Sequence, residues 1–218
     1  MAEISAAMVK ALRERTGAGI LDCKKALAEH DGNMEEAADY LRKKSLAQAD
    51  KKASRIAAEG MVTSYIHGGG RIGVLVEINC ETDFVARNED FQAFAKDICM
   101  QIAADRPRYV SRDEVPADVI EHEREILMAQ ARETGKPEAV LERIVEGRIQ
   151  KFFTEICLLE QTFIKNPDVK VEEVLKNLIA RIGENIRIRR FVRYELGEGL
   201  EKRQDNFAEE VAAQAGLS

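Results

Sequence analysis

Apolar residues recur at helical spacing over the first part of the chain, in three short segments that turns separate. Ser5 can cap the first segment, and Asn33 with Glu36 forms a capping-box-like start for the third. The three apolar faces are Ile4, Met8, Val9 and Leu12; Ile20, Cys23, Ala26 and Leu27; and Met34, Ala37, Ala38 and Leu41. This pattern predicts a three-helix bundle, followed at residues 43–55 by a basic, alanine-rich linker that is either helical or flexible.

From Met61 onwards apolar and polar residues alternate, which is the period of a strand. Glycines 68–70 interrupt this run, and residues 72–79 resume it, so we expect a β-hairpin. A third alternating run, residues 186–196, predicts a third strand in which Arg190 does not fit the pattern. The expected inner faces are Ile72, Val74, Val76 and Ile78 on the second strand, and Ile186, Ile188, Val192, Tyr194 and Leu196 on the third; Arg187, Arg189 and Arg193 are expected outside.

Helical spacing returns between and after these strands. It predicts an amphipathic helix near residues 91–102, an antiparallel, protruding helical hairpin at about 116–153, and further helices at 171–182 and 205–215. The expected fold class is α+β, with an antiparallel three-stranded sheet, flanking helices, the helical hairpin and a C-terminal helix. The expected organisation is a bundle with its linker at 1–55, a core at 56–200 and a C-terminal helical module at 201–218.

The junction after the second strand combines side chains of opposite character. The strand ends at Asn79, a polar break covers residues 80–83, and Phe84 follows just before a helical run. Asp83 and Phe84 together offer a carboxylate and a hydrophobic wedge from one platform, a pair suited to entering a partner. Burial tendency alone favours the alternative, in which Phe84 packs under its own sheet.

Composition narrows the class of protein. The 218 residues are 45% hydrophobic and 33% charged, with a formal net charge of -6, as in an ordinary soluble protein with many surface ion pairs. The sequence has no apolar run long enough to span a bilayer and no opening signal stretch, so we expect a cytoplasmic protein without a membrane partner. Four widely separated cysteines indicate neither a disulfide framework nor a zinc site.

Motifs for catalysis are missing from the sequence. His67 precedes three glycines, but the chain lacks a nucleophilic serine elbow, and the glycines lack the Lys-Ser or Lys-Thr of a phosphate loop. A hairpin turn is therefore the favoured interpretation. The three histidines lie far apart, without the spacing of metal ligands. We expect no catalytic residue, no metal and no cofactor.

The arginine-rich third strand raises the possibility of RNA binding. Residues 1–55 carry 11 Lys and Arg against 9 Asp and Glu, whereas the remainder carries 22 against 30. An acidic body disfavours broad nucleic-acid binding, although a row of arginines could contact phosphates. The alternative is a solvated sheet face in which the arginines pair with nearby glutamates. The arginines concerned are Arg187, Arg189, Arg190 and Arg193.

Two long motifs resemble signatures of the elongation factor Ts family. Residues 12–27, LRERTGAGILDCKKAL, resemble the first signature, and residues 77–87, EINCETDFVAR, resemble the second. Similarity extends to residues 67–76, 145–148 and 189–213, so the resemblance covers the whole chain.

The resemblance implies a guanine-nucleotide exchange factor for the translational GTPase elongation factor Tu, without an active site of its own. It implies a bundle like a ubiquitin-associated domain that docks on the G domain of the GTPase, and a further contact from the C-terminal helix. It places four residues near the bound magnesium of the GTPase, with Phe84 as the wedge: Thr82, Asp83, Phe84 and Val85. Further partner contacts are expected from Arg13, Gly19, Ile20, Leu21, Lys24 and His67, and either Ile20 or Leu21 is expected to pack in the bundle instead.

Long members of this family carry the core fold twice, whereas this chain has room for one copy and the helical hairpin. It therefore resembles the short form, which restores a two-lobed surface by pairing two chains, and we expect a homodimer that binds GDP-bound and nucleotide-free elongation factor Tu. Two hypotheses compete with this one. They are an RNA-binding translation accessory protein that uses the strand from Arg187 to Arg193, and an adaptor built on the bundle alone.

Overall fold

The computed structural model of the chain describes residues 4–133, 135 and 137–200. The helix expected at residues 205–215, and with it the C-terminal module expected at 201–218, lies outside the described residues. The fold is α+β, as the sequence predicts.

Eight α-helices, five strands and two short 3-10 helices make up the described part of the chain. The helices are α1 (Ala6–Thr16), α2 (Ile20–Glu29), α3 (Met34–Lys52), α4 (Asp83–Ala86), α5 (Glu89–Asp105), α6 (Ala117–Arg132), α7 (Glu138–Ile156) and α8 (Val171–Ile182). The strands are β1 (Glu59–His67), β2 (Ile72–Cys80), β3 (Thr162–Phe163), β4 (Asn166–Lys170) and β5 (Arg187–Glu195), and the 3-10 helices are Arg112–Glu114 and Leu158–Glu160.

Helices α1, α2 and α3 form the predicted N-terminal bundle. The Ser5 hydroxyl accepts a hydrogen bond from the Met8 amide at the start of α1, and Asn33 caps α3 in the same way. Gly17 ends α1 in the left-handed conformation, with φ of 67°. The bundle has a buried core of its own, formed by Leu12, Cys23, Ala26, Leu27, Ala37, Ala38 and Leu41.

Helix α3 continues well beyond the bundle. The segment predicted as a helical or flexible linker is helical as far as Lys52, and its second half packs on α8. Ala49 belongs to the buried core of the sheet, and the Lys52 ammonium donates to the Ile179 carbonyl. One helix therefore belongs to both the bundle and the core.

The main sheet is antiparallel, in the order β1-β2-β5. Val74, Val76 and Ile78 are buried on the inner face of β2, as their alternation predicts. Helix α5 covers this face, and residues of α8 complete the same buried core. The sheet thus holds β2, and the corner that follows it, on a packed support.

A β-bulge in β5 changes which residues face the core. Glu77 pairs with Arg190 but the next residue, Ile78, pairs with Ile188, so Arg189 is the extra residue. Beyond the bulge the alternation is inverted: the Arg193 side chain is only 8% exposed, and Phe191 packs on the core. Val192, Tyr194 and Leu196 were predicted to face the core, but all three are exposed on the outer side. Arg193 was predicted to face outward, and this placement was also wrong.

Helices α6 and α7 pack on one another as the predicted antiparallel hairpin, around a separate buried core that includes Leu127, Leu141, Val145 and Ile149. A backbone bridge between Tyr109 and Cys157 lies next to its base. The small sheet of β3 and β4 then leads into α8, and the sequence pattern did not predict it.

Candidate partner-binding edge

The corner between β2 and α4 is held from another part of the chain. Thr82 is the residue before α4, but its side chain does not cap the helix. The Thr82 hydroxyl donates instead to Glu184 Oε1 at 2.8 Å, and Glu184 Oε2 accepts from the Glu81 and Thr82 amides at 3.1 and 3.0 Å. Sequence reasoning missed Glu184, because its partners lie more than 100 residues away and no local motif marks it.

Phe84 extends from α4 into solvent and is 78% exposed. The alternative in which it packs under its own sheet is therefore wrong. The next two residues, Val85 and Ala86, pack against the core of the sheet and anchor the short helix. A large apolar side chain thus lies on an anchored turn and is available to a partner.

Asp83, beside Phe84, has an ion-pair partner one helical turn away. Its Oδ2 accepts from Arg87 Nη2 at 2.9 Å, and 49% of its side chain is exposed. A solvent-exposed pair at this spacing contributes only about 0.3–0.5 kcal/mol. A partner could therefore take over the Asp83 carboxylate at little cost.

The first turn of α2 presents a second apolar surface. Ile20 is 56% exposed and Leu21 is 75% exposed, so the expectation that one of them packs in the bundle was wrong. Helical spacing placed Ile20 on the buried face, but Cys23, Ala26 and Leu27 fill that face of α2. Gly19 precedes α2 with no side chain to cap it, and Arg13 on α1 and Lys24 on α2 are exposed.

The C-terminal turn of α8 lies next to both surfaces. A small groove at the bundle is lined by Thr16, Gly19 and Arg181, among others. Arg181 also pairs with Asp90 at the start of α5, at 3.2 Å. The chain leaves α8 through the loop that carries Glu184, which binds the corner. The structure therefore brings the bundle loop and the corner to the same end of α8.

His67 is not near this end of the sheet. It pairs with Ile72 at one end of the β1–β2 hairpin, whereas Cys80, just before the corner, pairs with Glu59 at the other. Eight residue steps at ~3.3 Å put about 26 Å between the two ends. The His67 ring is exposed and makes a 3.0 Å hydrogen bond with the Tyr65 hydroxyl.

Three of the four arginines of β5 are paired with carboxylates, as the alternative to RNA binding predicts. Arg189 and Arg190 donate to the two oxygens of Glu77 at 2.8 and 2.7 Å, and these bonds hold the pKa of Glu77 below its usual range. The bulge places both arginines on the outer face, which explains why Arg190 breaks the alternation. Arg193 pairs with Glu195 beneath the sheet. This pairing favours the solvated sheet face over the RNA-binding hypothesis.

The cysteines are all buried and free. Burial raises the pKa of the Cys99 and Cys157 thiols to about 11, and burial followed by the charge of Glu184 does the same for Cys80. These three thiols are thus protonated at neutral pH and are poor nucleophiles. Within the described residues, no group of three or more His, Cys, Asp or Glu side chains could hold a metal ion. Each helix in that part of the chain is too short or too polar to cross a bilayer.

Comparison with known proteins agrees with the two motifs. The family model described as "Elongation factor TS" matches residues 47–198. The chain is 70% identical over 214 residues to the elongation factor Ts of Desulforamulus reducens, which covers 98% of this chain and 99% of that protein. It is 66% identical over 211 residues to that of Heliobacterium modesticaldum, covering 97% and 98% of the two chains, and 63% identical over 214 residues to that of Geobacter sulfurreducens, covering 98% and 99%. The chain therefore belongs to the elongation factor Ts family and is a translation elongation factor.

Proposed function

We propose that the chain is a guanine-nucleotide exchange factor for elongation factor Tu, and that it acts through the edge formed by Thr82, Asp83, Phe84 and Val85. The observation that carries this proposal is the 78% exposure of Phe84 on an anchored four-residue helix. Leaving a phenylalanine in water has no benefit for the isolated fold, whereas its burial in a partner is favourable. The family to which the chain belongs supports the choice of partner.

The proposed mechanism is displacement of the groups that hold the nucleotide. Magnesium bridges the phosphates of GDP to the G domain, and it is among the largest charges in such a site. Phe84 inserts between elements of the GTPase and shifts the groups that bind the ion, and Asp83 stabilises the shifted arrangement through hydrogen bonds or charge. Thr82 and Val85 hold this pair at the corner. The chain needs no reacting group of its own, so we propose that it is not an enzyme.

Coupling between the two ligands of the GTPase is reciprocal. If binding of the factor lowers the affinity of the GTPase for GDP, then binding of GDP must lower its affinity for the factor by the same ratio. A coupling of ~4 kcal/mol corresponds to about a thousandfold in affinity. The factor can therefore bind the GDP form, release the nucleotide and leave again when GTP enters.

The bundle is proposed as a second contact, docking on the G domain. Ile20 and Leu21 supply exposed apolar area, Gly19 leaves the backbone of the loop accessible, and Lys24 and Arg13 add positive charge. Both this loop and the corner adjoin the C-terminal turn of α8, so one partner can contact both. His67 is proposed as a further contact, which the partner would make at the opposite end of the β1–β2 hairpin.

A homodimer is proposed from the outer face of the main sheet. Six apolar residues of β1, β2 and the β5 region are exposed there: Val62, Ile66, Leu75, Val192, Tyr194 and Leu196. The relatives match the chain over 97–99% of their own length, so the single-core form is their common length. Two such faces packed on each other would cover this apolar surface in both copies. As a translation factor, the chain is proposed to act in the cytoplasm and to have no direct nucleic-acid partner.

Release of fluorescent GDP from elongation factor Tu tests the proposal. We expect the chain to accelerate release, and the combined substitution of Phe84→Ala and Asp83→Ala to abolish most of the acceleration. Val140→Ala, which changes an exposed apolar residue on the helical hairpin, is the control and should leave the rate unchanged. An unchanged rate in the double variant would refute the wedge mechanism, and no acceleration by the unaltered chain would refute the exchange function.

A further inference from the structure

The loop between α8 and β5 bonds to two parts of the chain that are far apart in sequence. Gly183 ends α8 in the left-handed conformation, with φ of 92°, and the side chains of the next two residues bond to different segments. Glu184 takes the three hydrogen bonds of the corner, at 2.8 to 3.1 Å. The Asn185 amide side chain donates to the Arg55 carbonyl at 2.7 Å, in the segment that leaves the bundle.

Glu81 connects the corner back to this loop. Its Oε1 accepts from the Asn185 backbone amide at 2.6 Å and from Arg55 Nη1 at 3.5 Å. The hydrogen bonding between the corner and the loop is therefore reciprocal. The Glu184 carboxylate of the loop accepts from backbone amides of the corner, and the Glu81 carboxylate of the corner accepts from a backbone amide of the loop. Bonds of this kind, from N–H or O–H to a carboxylate, are among the stronger hydrogen bonds in proteins.

Helix α4 is too short to position its own side chains. An isolated helical turn is unstable, because a single turn fixes several residues for very few hydrogen bonds. Phe84 contributes little packing, since it is 78% exposed, and Thr82 does not cap the helix. The backbone just before Asp83 is fixed by the three bonds to Glu184, by a 3.1 Å bond from the Cys80 thiol to the Thr82 carbonyl, and by the packing of Val85 and Ala86.

We propose that Glu184 is a positioning residue for exchange: its carboxylate holds the Glu81–Thr82 backbone so that Asp83 and Phe84 face the partner in the productive orientation. This inference rests on the proposed function for its kinetic consequence, but its structural part concerns the chain alone. Glu184 acts through the corner and does not itself contact nucleotide or magnesium. A purely structural carboxylate would instead stabilise the fold without affecting exchange at saturation.

A double-mutant cycle on GDP release separates these two roles. With Glu184→Ala we expect the maximal release rate to fall about tenfold, the equivalent of one charge-assisted hydrogen bond. The concentration of factor at half-maximal rate should change less than about twofold, because the bundle contacts remain. In a Phe84→Ala background, Glu184→Ala should have a clearly smaller effect than in the unaltered chain, since only Asp83 is left for Glu184 to position. Fully additive losses would overturn the inference.

Two further variants control for stability and charge. Glu184→Gln should retain most of the activity, because its amide oxygen can accept from both backbone amides while its NH2 group donates to the Thr82 hydroxyl. Glu160→Ala removes a carboxylate whose side chain is 13% exposed and which pairs with Arg112 near the base of the helical hairpin. It should lower stability without lowering the maximal release rate. A loss with Glu160→Ala as large as that with Glu184→Ala would also overturn the inference.

Amide hydrogen exchange in the free protein tests the positioning without any partner. The Glu81 and Thr82 amides should exchange about tenfold faster in Glu184→Ala, since each loses its acceptor, and should be unaffected in Glu160→Ala. Unchanged protection of both amides would overturn the inference whether or not the chain accelerates GDP release from elongation factor Tu. If the unaltered chain fails to accelerate GDP release from elongation factor Tu, the exchange function is refuted, and the amide measurement still decides whether Glu184 holds the corner.

Discussion

The proposed dimer makes a sharp prediction at Leu75, in the middle strand of the outer sheet face. Leu75 is 46% exposed and lies opposite Ser64 on β1 and Val192 on β5. Replacing it with lysine should change the stability of the single chain by less than about 0.5 kcal/mol, because the ammonium can remain in water. In a dimer built on this face, the same ammonium would be buried.

The loss of dimer affinity follows from that exposure. Complete burial of a leucine contributes about 1.5–3 kcal/mol, so the exposed half of Leu75 offers roughly 1 kcal/mol in each copy. Burying an unpaired ammonium costs several kcal/mol more. We expect Leu75→Lys to weaken association by at least about 4 kcal/mol, which is about a thousandfold in the dissociation constant.

Sedimentation equilibrium over a concentration series measures this effect. The unaltered chain should approach twice its 24.4 kDa mass, and Leu75→Lys should remain at the single-chain mass. The control is Val140→Lys, which adds the same charge at a residue of similar exposure, 43%, on the helical hairpin. A single-chain mass for the unaltered protein at working concentration would refute the dimer, and a dimeric Leu75→Lys variant would exclude this face as its interface.

Three other predictions concern Phe84 at the partner-binding edge, Gly60 in the β1–β2 hairpin, and the ion pairs of Glu77 on the outer face of the sheet. Phe84→Ala alone should slow GDP release roughly tenfold, since most of the ~1.5–3 kcal/mol from burying a phenylalanine is still available to a partner, while the unfolding midpoint in urea stays unchanged; an equal loss of stability would assign Phe84 to the fold. Gly60→Ala should lower the free energy of unfolding by about 3 kcal/mol or more, because Gly60 has φ of 139° and a methyl group there would lie 2.1 Å from the Ile78 carbonyl oxygen. The control is Gly73→Ala, whose methyl group would lie 3.4 Å from its nearest neighbour and which should cost far less in the same urea titration. The ion pairs of Glu77 lower its pKa in the folded state, so they stabilise the fold above the pKa of an unfolded glutamate, and this stabilisation is lost as the pH falls through the folded pKa. Glu77→Gln should therefore be less stable than the unaltered chain at neutral pH and equally stable in acid. A difference that persists in acid would contradict the ion-pair explanation.

Local patterns in the sequence predict most of the fold because they reflect local physical preferences. The bundle follows from helical spacing and caps, and the hairpin follows from alternation and three glycines. The inner face of β5 was mispredicted beyond Ile188, because one extra residue inverts the alternation. The misfit at Arg190 signals an irregularity, but by itself it does not say that a residue has been inserted. The β3–β4 sheet was missed since β3 has only two residues and gives no periodic signal.

The candidate edge was only partly predictable for a related reason. The resemblance to a family selected Asp83 and Phe84, although burial tendency favoured packing Phe84 inside. The bonds from Glu184 could not be foreseen, because hydrogen bonds between distant segments leave no periodic trace in either one. The exposure of both Ile20 and Leu21 depends on how tightly Cys23, Ala26 and Leu27 fill the bundle, which spacing alone does not determine.

Helix α3 has a consequence for the entropy of partner binding. Its 19 residues span about 28 Å, from the core of the bundle to the core of the sheet, without a break. Two contact surfaces joined by a flexible tether would each lose freedom of movement when the partner binds. Surfaces fixed to one continuous rod lose it together, so the second contact forms at little additional entropic cost. A glycine-rich insertion within α3 would turn the rod back into a tether, and would weaken binding while leaving every contact residue in place.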